Sequence, residues 1–236
     1  MSDDTRVRYR EVTVPWVAQV TNKEALGDRL VKLSIAIPEN FTPAPLDTIA
    51  VEIGVDLRRY TVSAVTDTSF EIVAFRTLHG PATQFLDAVE VGDTVRGSGP
   101  ERPVKMPGGT VSRVIVAGDE TAVGVARAIA GLAAGRTQSG DGLALEVHVG
   151  LVARANMDAA RALLLGCQLE FFDNEADVSS WLGEIIPAGD TSTTGVCVVG
   201  QQSVNHMVRT RAVSLGVPKE HVATRTFWRP DRSGLE

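Results

Sequence analysis

The stretch GPERPVKMPGGT, residues 99–110, marks a change in hydrophobic period, and no single layer architecture accommodates both of its flanks. Before it lie six short apolar or alternating runs: 12–21, 29–37, 47–54, 58–65, 69–75 and 93–99. Turn-formers such as Pro38, Asn40, Pro43 and Pro45 separate them, with one short helix candidate after HGPAT (79–83). Strands at this spacing predict a closed antiparallel barrel. After it, the continuous apolar run 112–118 is followed by DETAVGVARAIAGLAA, apolar at helical spacing. Further strands read at 143–150, 166–172, 195–200 and 221–228, with helices at 156–165 and 201–215. Strand alternating with helix predicts a parallel sheet. The expected fold class is therefore β + α/β, an N-terminal antiparallel Greek-key β-barrel over 1–106 and a parallel-sheet α/β domain over 107–236.

Composition narrows the partners. The 236 residues are 44% hydrophobic, ample for a packed core, and the formal net charge of -6 argues against a broad nucleic-acid surface. No apolar run approaches the roughly 18 residues of a membrane span, and MSDDTRVRYR lacks an apolar signal segment, so a cytoplasmic location is expected. Cys167 and Cys197 sit in apolar runs and read as buried, inert thiols. His79, His148, His206 and His221 lack metal-ligand spacing, and no structural zinc is expected.

Within this frame, LRRYTVSA (57–64) puts two arginines and a tyrosine on a strand. Strict alternation places Arg58, Tyr60, Val62 and Ala64 on one face and Arg59, Thr61 and Ser63 on the other. The Arg58–Tyr60 pair reads either as a fork for phosphate beside a flat surface for an aromatic ring, or as an edge strand wearing arginine for solubility. HGPAT reads as a helix opening with Gly80 at the N-cap and Pro81 at the first helical position. Its amides on Ala82 and Thr83 face either an anion or water. GDETA (118–122) turns from strand to helix, its carboxylates either meeting a ribose or stabilising the helix dipole. VVGQQS (198–203) repeats the strand-glycine-helix design. Arg154, just past a strand, reads as a 2'-phosphate contact or a solvated loop residue. There is no GxGxxG and no Walker lysine. FWRP (227–230) ends the last strand with two aromatics and a cation.

Taken in order, RxYT (Arg58, Tyr60, Thr61), HGPAT, VGDTVRGSGP, GDETA, the late strand-glycine-helix and the terminal aromatic-WR resemble the siderophore-interacting proteins. These are flavin-dependent ferric-siderophore reductases of the ferredoxin-NADP reductase superfamily, and the resemblance covers roughly residues 12–230. It implies that Arg58 grips the FAD pyrophosphate, that Tyr60 lies against the isoalloxazine with Val62 beside it in the strand, and that the Thr61 hydroxyl approaches flavin N5. Tyr60 and Thr61 alternate, so twist or a bulge must bring both to the ring. His79, Gly80, Ala82 and Thr83 are implied on the phosphate and adenine side. Gly118, Asp119, Glu120, Thr121, Ala122, Gly200, Gln201 and Gln202 are implied to flank NAD(P)H. Trp228 and Arg229 would sit near the flavin and the iron complex, with Arg59, Arg76 and Arg229 as substrate-side cations. The chain departs from the family at Ser63, where an arginine is usual, at Val123-Gly124 for Leu-Pro, at Gln201 for glutamate and at Cys197 for tryptophan.

The implied activity is electron transfer from NAD(P)H through FAD to a ferric siderophore, releasing Fe(II), with no nucleic-acid partner and ferredoxin as an alternative donor. Two other readings stand beside it: a general flavin or ferredoxin-type reductase, and a flavin-containing siderophore carrier without turnover. Arg154 tilts the nucleotide choice toward NADPH.

Overall fold

The computed structural model describes residues 15–101, 103–107, 111–139, 145–153, 157–186, 189 and 191–228, without the side chains of 137–139. Six strands, β1 (Pro15–Leu26), β2 (Leu30–Ala36), β3 (Thr48–Ile53), β4 (Asp56–Val65), β5 (Ser69–Phe75) and β6 (Thr94–Glu101), close into a barrel in the order β1-β2-β5-β4-β3-β6. Every pairing is antiparallel. The alternation along PWVAQV matches its burial, and Trp16, Phe41 and Phe70 meet inside the barrel with centroids 5.4–5.9 Å apart. β1 runs past its predicted end because the polar TNKEAL continues a ladder with β2 up to Leu26↔Leu30. Polarity there reports exposure and not the end of the strand.

Helix α1 (Pro81–Ala88) follows β5, with Gly80 at its N-cap and Pro81 in its first turn as predicted. The second half is a parallel sheet of β7 (Arg113–Asp119), β8 (Glu146–Val152), β9 (Gln168–Phe172), β10 (Thr194–Gln201) and β11 (Val222–Trp228), ordered β11-β10-β7-β8-β9. The connection reverses direction between β7 and β10, which makes their carboxyl ends the topological switch point. β10, flanked by β11 and β7, is buried at all eight positions, as an internal strand covered on both faces must be.

Helices α2 (Val123–Ser139), α3 (Asp158–Leu163), α4 (Glu175–Ile185) and α5 (Gln202–Ser214) cover the sheet. α4 was not expected from the sequence. Asn174 caps it by accepting from the Asp177 amide at 3.1 Å, and Val178, Trp181 and Leu182 bury one face. The turn at GDETA also differs from expectation. β7 continues through Asp119, a 3-10 turn spans Glu120–Ala122, and α2 begins only at Val123. Asp119 is extended and caps that turn through the Thr121 amide.

The core under α2 and α3 does not stop at the sheet. Leu30, Leu46 and Val73 of the barrel belong to the same buried cluster as Val123, Ala126 and Val116. The two halves thus share apolar packing, and an ion pair crosses with it: Arg127 of α2 donates to Glu71 of β5 at 2.6 Å. Among the described residues no helix is long and apolar enough to cross a membrane.

Candidate functional site

Strand β4 is held by β3 over its first six residues, from Ile53↔Asp56 to Thr48↔Thr61. Its ladder with β5 covers only Val62↔Ile72, Ala64↔Glu71 and Val65↔Phe70, with a register shift around Ser63. A bulge bends its strand and sharpens the twist, and beyond Val62 the β4–β5 ladder ends. The barrel wall opens there, between the first half of β4 and the last residues of β5. That opening is one side of a cavity of about 490 Å³. β4 is therefore not an edge strand carrying arginine for solubility, but an internal strand of a wall that parts at one end.

The parted wall explains how consecutive residues reach one space. Arg58, Arg59, Tyr60 and Thr61 all line the cavity, facing Val73, Ala74 and Phe75 of β5. The turn before α1 contributes His79 and Gly80, the first turn of α1 contributes Ala82, and the α/β half contributes Glu120, Thr121, Gly124, Phe227 and Trp228. Its mixture of an aromatic and aliphatic floor with a few polar groups is what a small-molecule pocket needs.

The polar groups are held in different ways. Arg58 is paired with Asp56 at 3.0 Å and also donates to the Leu57 carbonyl. Arg59 donates to Glu101 at 2.6 Å. Burial pushes the Tyr60 phenol up to about 12, with Arg58 pulling weakly the other way, so it is a neutral donor at physiological pH. The Thr61 hydroxyl is buried and has no hydrogen-bond partner among the described residues. Leaving it so costs about 1–3 kcal/mol unless something in the cavity meets it.

Other candidates lie off this lining. Val62 is buried in the barrel core. Thr83 bonds through its hydroxyl to Thr77, and Arg76 pairs with Asp87 at 3.1 Å on the surface of α1. Gly118 is required by packing, since a Cβ there would lie 2.0 Å from the Val199 carbonyl oxygen. Ala122 is buried under α2. Asp119, Gly200 and Gln201 are engaged with one another at the ends of β7 and β10, and Gln202 opens α5. Arg154 and Arg229 lie outside the described residues. Cys197 is fully buried and its thiol is pushed up to about 12, so it stays unreactive; Cys167 is only half-buried.

Sequence reasoning missed Val73, Ala74, Phe75 and Thr77. Their strand and its exit were legible, but the parting of β4 from β5 is a register event that periodicity does not show. Gly124 was noted only as a departure from a family pattern. Its Cβ would stand 3.3 Å from the Val73 carbonyl oxygen, so the missing side chain lets α2 close against the barrel beside the cavity.

A six-stranded antiparallel barrel joined to a five-stranded parallel sheet, with a cavity between them at the parted wall, is a recurrent arrangement. This is the ferredoxin-NADP+ reductase fold. The siderophore-interacting protein SipS from Aeromonas hydrophila superposes with a TM-score of 0.71 at 18% identity, covering 94% of each chain. Ferredoxin-NADP+ reductase from Plasmodium falciparum gives 0.70 at 11% identity, covering 90% of this chain and 96% of that one. Flavohemoglobin from Malassezia yamatoensis with bound FAD and heme gives 0.67 at 17% identity, covering 91% of this chain and 60% of that one. No protein-family model matches the chain, and no curated protein does. At these identities the reductase fold is what the likeness establishes, and chemistry rests on the residues of the cavity.

Proposed function

We propose that the chain is a cytoplasmic, FAD-dependent ferric-siderophore reductase, with residues 1–106 as the flavin-binding barrel and 107–236 as the NAD(P)H-binding half. One observation carries the reading. The RRYT segment, the glycine turn before α1 and the end of the last strand converge on one cavity, and its wall includes Thr61, whose buried hydroxyl has no partner among the described residues. A flavin fits that set. Its ring system answers the aromatic lining of Tyr60, Phe227 and Trp228, and a polar ring edge answers Thr61. Arg58 and the amides opening α1 would hold the diphosphate, with His79 and Gly80 beside them.

Bound FAD would supply the redox chemistry, accepting a hydride from NAD(P)H and passing electrons singly to Fe(III). The balance is one NAD(P)H and two Fe(III) giving one NAD(P)+, one proton and two Fe(II), which siderophore oxygens bind more weakly. The protein's own part is orientation and exclusion of water. Tyr60, a neutral phenol, would lie against the ring, and the buried Thr61 would offer its hydroxyl to the ring edge. Arg59, Arg76 and Arg229 remain the candidate cations for an anionic ferric complex, with Arg229 outside the described residues.

The test is anaerobic incubation of the protein, loaded with FAD, with NADH or NADPH, a ferric siderophore and a ferrous chelator. Chelate forming well above the protein-free control supports the reductase. With flavin confirmed bound, no chelate above that control contradicts it.

The pairing of Arg58 with Asp56 and of Arg59 with Glu101 favours a second reading, a reductase serving a protein electron carrier, because each cation already has a carboxylate. Turnover with dyes or ferredoxin and none with iron chelates decides for it. A yellow protein that neither nicotinamide cofactor bleaches is instead a non-catalytic carrier.

A further inference from the structure

Asp119 is 3% exposed at the carboxyl end of β7, beside the switch point where an α/β sheet ordinarily receives its ligand. A carboxylate is tolerated in such a place only if donors meet its charge. Here four do, from three separated segments. Oδ1 accepts the Thr121 amide at 2.9 Å and the Thr121 hydroxyl. Oδ2 accepts the Gln201 amide at the end of β10, at 2.7 Å, and the Trp228 indole N–H at the end of β11, at 2.8 Å.

The surrounding backbone is shaped to this carboxylate. Gly200 has φ +121, and a Cβ on it would lie 2.6–2.7 Å from the carboxylate atoms. The β10–β11 register shifts at the same point, from Gly200↔Thr226 to Gln201↔Trp228, which brings the amide and the indole to one oxygen. A carboxylate has about four acceptor positions, and all are in use. A ribose hydroxyl reaching Asp119 would have to displace one of these donors.

We propose that Asp119 is a positioning residue that holds Trp228 at the wall of the cavity, and not a ligand of the nicotinamide nucleotide. An indole N–H can only donate, so a fixed acceptor behind it fixes which edge of the ring turns toward the cavity. The latch joins residues 109 apart in sequence, across the carboxyl ends of β7 and β11. Ring binding is thereby directed to the barrel side. The latch itself stands without the flavin reading; only its effect on affinity rests on that reading.

The experiment has two arms. In the first, the three tryptophan indole N–H signals are followed by NMR in the protein without FAD, Trp228 being assigned with Trp228→Phe. Its indole proton is expected to exchange slowly, and Asp119→Asn to accelerate that exchange about tenfold or more while the Trp16 and Trp181 signals stay in place. Equal exchange in both proteins, or free-indole exchange in the wild type, overturns the latch. In the second arm FAD affinity is measured for Asp119→Asn, Trp228→Ala and the double variant. Each single change is expected to weaken binding about tenfold and the double change no more than the worse single one, whereas additive losses overturn the role. If Asp119→Asn does not fold, Trp228→Phe decides: it keeps a ring but loses the donor, and wild-type affinity for FAD overturns the proposal. Wild-type protein that takes up no FAD sinks the flavin reading, while the first arm still decides the latch.

Discussion

At the scale of residues, the cavity wall carries two groups whose behaviour is separable. The Thr61 hydroxyl is desolvated without a partner among the described residues, so it burdens the empty protein. Thr61→Val should raise the stability of the FAD-free protein by about 1 kcal/mol and lower its affinity for FAD. Denaturant unfolding with and without FAD measures both, and a loss of stability in the free protein contradicts this account of Thr61. Tyr60 titrates at about 12 against 10.0 for an ordinary phenol, because burial disfavours the anion. The unfolded chain then loses its proton first as pH rises. The contribution of Tyr60 is fully present below pH 10 and is lost as pH climbs toward about 12. Ultraviolet titration should show one tyrosine ionising late, and Tyr60→Phe should remove that step. Arg58, Tyr60 and Thr61 were legible because their residue types stand out on a strand. The contacts of Asp119 were not, since its indole and amide donors come from distant segments that only the folded sheet brings together.

At the scale of elements, the site exists because two strands part. The strand boundaries near LRRYTVSA and SFEIVAF could be read from apolar runs, and the alternation of Tyr60 and Thr61 called for a twist or bulge, but the place of the shift around Ser63 is a matter of pairing with β5 that the alternation of one strand does not fix. Helix α4 is the instructive miss. Its cap and its apolar spacing are local signals, but EADVSSWLGEI opens with acids and holds no continuous apolar run. Asn174→Ala should cost about 1 kcal/mol by removing the cap. Gly150 on β8 faces the ring of Trp181 on α4, where a Cβ would come within 2.3 Å of a ring carbon. Gly150→Ala should therefore destabilise by about 1–3 kcal/mol through overpacking. Unchanged thermal unfolding in either variant contradicts the packing of α4 described here.

At the scale of the whole molecule, the change of period at residues 99–110 announced a barrel followed by a parallel sheet, and that architecture is what the chain adopts. What the period change did not announce is that the halves share a core, with Leu30, Leu46 and Val73 packed among the residues of α2 and the sheet. Arg127–Glu71 and Gly124 sit on the same seam. Two lobes joined this way should unfold in one calorimetric transition that FAD shifts upward; two transitions, with only the first moved by FAD, would mean independent lobes. The nucleotide preference belongs to this scale as well. Arg154→Ala should raise KM for NADPH and spare NADH, and equal effects on both refute that role. The most direct measurement is a titration of the purified protein with FAD, followed by flavin absorbance, fluorescence and retention on dialysis. Saturable uptake of one FAD per chain, with its emission quenched by the tyrosine and tryptophan of the cavity, is the predicted result; flavin that stays fully fluorescent and dialyses away contradicts it.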